Sequence, residues 1–487
     1  MLKRRAFEAT LWSGVEVMLR QGLQFAVTVI LARILDPSEF GTVATLALFI
    51  AIATVLMDGG FSLALLQRQD ITHVDESTVF WFNLVMGGLF SAALALAGPA
   101  LAIFFELPAL RSLAPVLGLT VFIASLGAIH ATLINKRLEF RKLLGVNVVA
   151  TIAASVVAIT LALAGFGVWA LVAQALVMAT VTTTMLWVVG GWRPSWVFSR
   201  ASARKLFGFG GYTLVSSLLD AAYTRFYTVI VGRWFGTRDL GYYNNADTTR
   251  QMPTRFVGAI LLRAALPMFA EAAQNPQKLR RGLQLSICGT MRMNAPLMLG
   301  GAALAEPLVR VVFGLRWLPA APILSVLCLA GVLYPLHALN LHVLLAQGHS
   351  KRMFHIEVAK KIMGIALIVA GSFFGLIGIA WSQVAFSILS LALNTHYSGK
   401  FLGYGLVAQS RDVLPTVALA LVMAAVVAAL DHYWPWETHA AIRFGVLICT
   451  GAVFFIAGAA ALRLEAFRDV ALIESRSSSR HGEMGTL

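Results

Sequence analysis

The chain has 487 residues, of which 59% are hydrophobic and only 13% are charged, and its formal net charge is +15. A soluble protein of this length needs more polar surface, so the composition excludes a soluble globule and predicts an integral membrane protein. The apolar runs are about 20 or more residues long, which is the length of a membrane-spanning helix and excludes the shorter alternating strands of a membrane β-barrel.

About fourteen apolar stretches are long enough to cross a bilayer, which predicts an all-α membrane protein. They cover residues 11–34, 41–66, 77–105, 112–135, 143–165, 167–190, 205–235, 241–266, 282–304, 320–346, 355–374, 376–399, 411–431 and 440–462. The joins at Gly165 to Gly167 and at Gly375 separate two spans by only a short glycine turn.

The basic residues lie at the ends of the spans rather than in one patch, which argues against a nucleic-acid partner. With a cytoplasmic N-terminus, about 25 of them fall on the inner side and about 7 on the outer side, as the positive-inside rule requires. The distribution therefore predicts that both termini are cytoplasmic. Lys360 and Lys361 are counted among the inner basic residues.

An internal repeat is visible when the chain is compared with itself at an offset of 200 residues. TVILARILDPSEFG, from Thr28 to Gly41, then matches TVIVGRWFGTRDLG, from Thr228 to Gly241, without a gap. An even number of spans separates the two segments, so both halves have the same orientation, as in a parallel repeat about an axis along the membrane normal. The predicted organisation is an N-terminal six-helix lobe at 1–200, a second at 201–400, two added helices at 401–465 and a cytoplasmic tail at 466–487.

Two segments resemble a known family. They are LARILDPSEFGTVATLALFIAIATVLMDGGFSLALLQRQD, continuing to FWFNLVMG, and LGYYNNADTTRQMPTRFVGAILLRAALPMFAEA. They are similar to the Wzx-type oligosaccharide flippases of the multidrug/oligosaccharidyl-lipid/polysaccharide (MOP) superfamily. The resemblance implies a two-lobed fold of fourteen helices, like that of multidrug (MATE-type) exporters. It also implies transport of a polyprenyl-pyrophosphate-linked oligosaccharide across the bacterial inner membrane.

Charged side chains inside the predicted spans are concentrated in a few helices. The first span carries a polar residue at every fourth position: Glu16, Arg20, Gln24 and Thr28. The other embedded charges are Asp220 and Arg225 in the seventh span, Asp247, Arg250 and Arg255 in the eighth, and Arg292 in the ninth. Because a charge at bilayer depth costs at least about 2.5–3.5 kcal/mol, these side chains are expected to face protein or a wet cavity.

Two explanations of these charges remain open. Neighbours can form structural pairs, as Glu16 with Arg20 and Asp247 with Arg250 would at their helical spacing. Alternatively, the excess of arginine over carboxylate lines a cavity for a diphosphate, since the arginine fork grips phosphate oxygens and keeps its charge. The predicted substrate-binding residues are Arg20, Arg225, Arg250, Arg255 and Arg292, and the predicted ion-coupling residues are Glu16, Asp220 and Asp247.

These expectations describe a transporter rather than an enzyme: a flippase that carries the lipid-linked oligosaccharide to the outer leaflet by alternating access, for surface polysaccharide biosynthesis. Outward movement of two negative charges is favoured by about 4–5 kcal/mol per 100 mV, so the membrane potential is one driving force. Coupling to H⁺ or Na⁺ through one of the three carboxylates is the alternative. Expected partners are membrane lipids, a polysaccharide polymerase and glycosyltransferases; no cofactor or metal is expected.

Three other functions are alternatives to this one. A flippase for a lipid-linked peptidoglycan precursor would share the basic cavity, and only the family resemblance separates it. A multidrug cation antiporter would need an acidic, aromatic cavity. A membrane-embedded glycosyltransferase would bring a catalytic acid or base on large loops, whereas the loops here are short. Tyr334, His337 and Asn340 share one helix face, which is more typical of interhelical contacts than of sugar binding.

Overall fold

A computed structural model describes residues 2–272, 275–347, 350–434 and 439–462, and within these ranges it contains helices and no strand. The helices are α1 (Leu2–Ile34), α2 (Pro37–Thr45), α3 (Ala47–Asp58), α4 (Phe61–Gln67), α5 (His73–Phe104), α6 (Leu110–Lys136), α7 (Phe140–Leu163), α8 (Val168–Gly190), α9 (Arg200–Trp234), α10 (Thr237–Ala272), α11 (Pro276–Ala303), α12 (Ala305–Val312), α13 (Ala320–Gly331), α14 (Tyr334–Ala346), α15 (Ser350–Ser372), α16 (Gly375–Leu402), α17 (Leu406–Tyr433) and α18 (Ala440–Ala461). A short 3₁₀ helix, Leu315–Trp317, follows α12. The predicted tail at 466–487 lies outside the described residues.

Every predicted span coincides with a helix or with consecutive helices, which confirms the all-α membrane fold. Within the described residues, ten helical stretches are long and apolar enough to cross a membrane, and α11 with α12 makes an eleventh if this pair, bent by 76°, is one span. The long helices α9, α10 and α15 are not among them. These three helices and α11 carry polar side chains that lower their hydropathy, and the count of fourteen stays a prediction.

The second predicted span is not one continuous helix. It is divided at Leu46 and again at Gly59 and Gly60, whose φ angles of 60° and 76° are in the left-handed region that favours glycine. A Cβ at Gly60 would lie 2.3 Å from the carbonyl oxygen of Gly210 in α9. Glycine at this position therefore allows both the turn and the close approach of α9.

The helices group into two compact units. The first unit comprises Met1–Asn245 and Gly364–Ile379. In it α5 packs along α6, α8 lies against α6 and α7, and α9 lies against α3 and α4. Its core includes an aromatic cluster around Phe61, Phe80 and Trp192.

The second unit comprises Ala246–Met363 and Ala380–Leu487. In that unit α11 packs against α13, α14 and α17, and α17 packs against α18. The predicted lobe boundaries at 200 and 400 stay a prediction.

The two repeated segments contact each other reciprocally inside the first unit. A Cβ at Gly41 would lie 1.7 Å from the carbonyl oxygen of Thr237, and a Cβ at Gly241 would lie 1.9 Å from that of Pro37. The offset of 200 residues relates Gly41 to Gly241 and Pro37 to Thr237. Such an exchange of equivalent contacts is what two copies related by a two-fold axis make. The contact agrees with the parallel repeat predicted from the sequence.

Candidate substrate site

The clearest polar centre of the second unit lies on α10. The Asp247 side chain is 10% exposed and the Arg250 side chain is 22% exposed. Arg250 donates from Nη2 to Oδ1 of Asp247 at 2.6 Å, and Gln251 donates from Nε2 to Oδ2 at 2.6 Å. The i,i+3 and i,i+4 spacings place all three side chains on one face of the helix. The structural pair anticipated for Asp247 and Arg250 is therefore formed, and both oxygens of the carboxylate accept a hydrogen bond.

Arg292 on α11 differs from this pair. Its Nε and Nη1 atoms are buried and have no hydrogen-bond partner within the part of the chain that the structure describes. Two residues further along, the amide nitrogen of Asn294 donates to the carbonyl oxygens of Gly331 and Val332, at 3.0 and 2.9 Å. Buried donors without an acceptor are costly, and a charged group more so. An anion at Arg292 would supply the missing acceptors.

The first unit contains four of the predicted site residues, and the side chains of three of them are described. Arg20 on α1 and Arg225 on α9 are half-buried, whereas Asp220 on α9 is exposed. The backbone oxygen of Arg225 accepts a hydrogen bond from Thr228 Oγ1 at 2.7 Å. The structure thus brings Asp247 and Arg250 together, and it places Arg292 in the same unit as that pair. Convergence of the predicted arginines on one cavity stays a prediction.

The side chains of Glu16 and Arg255 lie outside the described residues. Their assignments as an ion-coupling and a substrate-binding residue, and the expected pair of Glu16 with Arg20, stay predictions. Further along the polar stripe of α1, the Thr28 hydroxyl donates to the carbonyl oxygen of Gln24 at 2.9 Å.

A second buried ion pair was missed by the sequence analysis. Lys360, which was counted with the inner loops, lies well inside α15, is only 8% exposed and pairs with Glu357. The i,i+3 spacing of a carboxylate and a lysine within the predicted span 355–374 was the signal that could have revealed it. The structure therefore corrects the placement of Lys360 from a loop to a buried helical position.

The polar face of α14 holds helices together. Asn340 and Gln409 exchange two hydrogen bonds of 2.9 Å between α14 and α17. His337 Nε2 lies 3.0 Å from the hydroxyl of Ser387 on α16. The described residues contain no group of three or more histidine, cysteine, aspartate or glutamate side chains that could hold a metal ion. These contacts agree with the interhelical role preferred for this face.

The chain is similar to known proteins of polysaccharide biosynthesis. A family model described as polysaccharide biosynthesis protein matches residues 30–322. The teichuronic acid biosynthesis protein TuaB of Bacillus subtilis is 24% identical over 455 residues, which cover 91% of this chain and 93% of TuaB. The lipopolysaccharide biosynthesis protein WzxC of Escherichia coli is 27% identical over 402 residues, covering 81% and 80%. The succinoglycan biosynthesis transport protein ExoT of Rhizobium meliloti is 31% identical over 327 residues, covering 66% of each.

Solved structures show the same fold. The lipid II flippase MurJ, in an inward closed conformation, superposes with a TM-score of 0.74 at 14% identity and covers 95% of this chain and 98% of its own. An inward-facing multidrug transporter of the MATE family and MOP superfamily gives 0.63 at 16% identity, covering 80% and 96%. These likenesses confirm the predicted helical transporter fold, and the named relatives agree with a transporter rather than an enzyme.

Proposed function

The chain belongs to the polysaccharide biosynthesis protein family, and we propose that it is a flippase for a polyprenyl-pyrophosphate-linked oligosaccharide. It moves the lipid-linked glycan from the inner to the outer leaflet of a bacterial inner membrane, where the glycan enters surface polysaccharide synthesis. Relatives named for teichuronic acid, lipopolysaccharide and succinoglycan biosynthesis support this class of cargo. A polysaccharide polymerase and glycosyltransferases act as its partners, and both termini lie in the cytoplasm.

The observation that carries the proposal within the structure is the unsatisfied guanidinium of Arg292. A diphosphate offers several acceptor oxygens and negative charge, which is what the buried Nε and Nη1 atoms lack. In the proposed cycle Arg292 binds the diphosphate together with Arg250 and Arg255 of the same unit, and Arg20 and Arg225 of the first unit stay predicted substrate-binding residues. The prenyl chain remains in lipid while the glycan crosses.

The driving force follows from the same charges. Because the cargo is anionic, a membrane potential that is negative inside favours its outward movement. Asp247 already accepts hydrogen bonds from Arg250 and Gln251, so binding of H⁺ or Na⁺ there would have to displace these contacts. The membrane potential is thus the simpler driving force, and coupling through Glu16, Asp220 or Asp247 is the alternative to be tested with ionophores.

The other functions receive less support. The likeness to the lipid II flippase is at 14% identity and concerns the fold, so it does not favour a peptidoglycan precursor as cargo. A multidrug cation antiporter requires embedded acidic groups free to bind a cation. The second unit instead offers a carboxylate engaged with Arg250 and an arginine with buried, unsatisfied donors.

The test replaces Arg292 and measures glycan export in cells at matched protein levels. Arg292→Ala is expected to lower export at least about tenfold, since a hydrogen bond to a charged group contributes about 1.5–3 kcal/mol. Arg292→Lys should retain part of the activity, because it keeps the charge and loses the planar fork. Arg281→Ala, an exposed arginine on the same helix, is the control and should export normally. Normal export by Arg292→Ala would refute the assignment of Arg292 to the cargo.

A further inference from the structure

A hollow outside the proposed cargo site lies where α11 and α17 begin. It has a volume of about 650 Å³ and is bounded by the second and third turns of α11, the loop between α16 and α17, and the first turns of α17. The residues that line it include Arg280, Gln284, Tyr404, Leu406, Val407, Arg411 and Asp412. We call it the α11–α17 hollow. All of these residues belong to the second unit.

Two guanidinium groups give the hollow an excess of positive charge. Arg280 on α11 and Arg411 on α17 are exposed, and neither forms an ion pair with any residue that the structure describes. The only carboxylate among the lining residues is Asp412. The start of α17 adds to the positive field, since no side chain caps this helix and its first residues line the hollow.

The single carboxylate is already engaged by neutral donors. Gln284 Nε2 and the Tyr404 hydroxyl both donate to Oδ2 of Asp412, at 2.8 and 2.7 Å. Burial and the hydrogen bond to Asp412 raise the pKa of the Tyr404 phenol, so that the phenol keeps its proton and remains the donor. Arg280 lies over the Tyr404 ring, with its guanidinium carbon 5.9 Å from the ring centroid. The Asp412 carboxylate is therefore held by Gln284 and Tyr404. We expect the Arg411 guanidinium to bind the ligand.

We propose that the α11–α17 hollow binds a phosphate group, and that its source is the headgroup of an anionic phospholipid. Arginine forks and an uncapped helix start are both suited to phosphate oxygens. The lipid source is favoured by Leu406 and Val407, which lie beside the charges and are 41% and 83% exposed. Apolar side chains at the rim of a basic hollow suit acyl chains next to a headgroup, whereas free phosphate would gain nothing from them. In the proposed orientation, with both termini cytoplasmic, this end of the bundle faces the cytoplasm, where anionic lipids are met.

The experiment uses the full chain, purified in detergent, and three probes: dioctanoyl phosphatidylglycerol, dioctanoyl phosphatidylcholine and inorganic phosphate. Binding is measured by native mass spectrometry and by the thermal midpoint at increasing probe concentration. The variant is Arg280→Gln/Arg411→Gln. The matched control is Lys278→Gln/Arg281→Gln, which removes the same charge from exposed positions of α11 that do not line the hollow.

Phosphatidylglycerol is expected to bind the wild type and the control equally, and the variant about tenfold or more weakly, as loss of charge-assisted hydrogen bonds implies. Arg411→Lys should fall between, because it keeps the charge without the fork. If inorganic phosphate competes with the lipid and shows the same dependence on the two arginines at equal affinity, the site is for phosphate and the lipid source is wrong. Equal binding of phosphatidylcholine, or an equal loss in the control, overturns the proposal altogether.

Folding is checked by gel filtration and by the thermal midpoint without probe. Should the double variant fail to fold, Arg411→Gln alone, at an exposed position, carries the same test. The measurement needs no glycan and no transport. Its failure would therefore leave the proposed flippase function untouched, and a loss of export in Arg292→Ala would say nothing about this site.

Discussion

Asp247 and Asp70 are both held by basic side chains, yet in opposite surroundings. Asp70 lies in the loop before α5, where Arg68 donates from Nε and Nη2 at 3.0 and 2.7 Å and Lys205 donates at 3.0 Å. The side chains of these three residues are 60%, 27% and 51% exposed. Asp247 has one arginine and one amide donor, and its side chain is 10% exposed.

Exposure to water decides which of these charged residues need a functional explanation. Asp70, Arg68 and Lys205 form the loop cluster, and water solvates each of them whether or not it is paired. Exposed pairs of this kind therefore contribute little to the stability of the protein and are tolerated anywhere on its surface. A pair inside a transmembrane bundle has lost its water, and replacing such a pair by apolar side chains is often neutral or stabilising. Stability alone therefore does not explain the buried charges of α10 and α11, which agrees with the proposal that they serve the cargo.

The largest effect is expected where one embedded partner is removed. Asp247→Asn leaves Arg250 charged and without its carboxylate, which should destabilise the protein by about 3–5 kcal/mol. The thermal midpoint of the purified protein in detergent measures this loss. A midpoint equal to that of the wild type would show that water reaches Arg250, and that Asp247 belongs with the exposed class.

The double variant Asp247→Asn/Arg250→Met separates stability from function. Removing both charges should restore most of the midpoint, because the buried pair is then replaced as a whole instead of being split. Glycan export should stay low, since an arginine assigned to the cargo is lost. Export restored together with the midpoint would mean that the pair is structural only.

A smaller effect is expected at the second embedded pair. Glu357→Gln leaves Lys360, which is 8% exposed, without a carboxylate. Because a buried lysine can release its proton, whereas an arginine cannot, the loss should be about 2–3 kcal/mol and below that of Asp247→Asn. Thermal midpoints of the two variants, measured side by side, test the order. Glu357→Asp, which keeps the charge on a shorter side chain, is the control and should lose less.

The sequence predicted those parts of the fold and site that depend on local spacing. The Asp247–Arg250 pair follows from an i,i+3 spacing, and the relation of Gly41 to Gly241 follows from the repeat. The contact between the repeated helix starts could not be predicted, because it depends on how two distant segments pack. The unsatisfied donors of Arg292 depend on packing in the same way. Lys360 was wrongly assigned to a loop, because the positive-inside count treats every basic residue as part of a loop. The count does not consider a carboxylate such as Glu357 one helical turn away.

The smallest effect is expected in the loop cluster, and it should depend on pH. The hydrogen bonds from Arg68, and then from Lys205, hold the pKa of Asp70 well below its usual range. A carboxyl with a lowered pKa contributes its stability above the unfolded value of about 3.9 and loses it as pH falls toward the folded value.

Asp70→Asn should therefore lower the thermal midpoint slightly at pH 7, and the difference from the wild type should shrink as pH falls below about 4 or as salt screens the pair. Lys205→Gln, which removes one exposed donor, is the control and should change the midpoint no more than Asp70→Asn does. A loss at pH 7 as large as that of Asp247→Asn would mean that exposure does not distinguish the two clusters. The case for assigning the embedded charges to the cargo would then lose its physical basis.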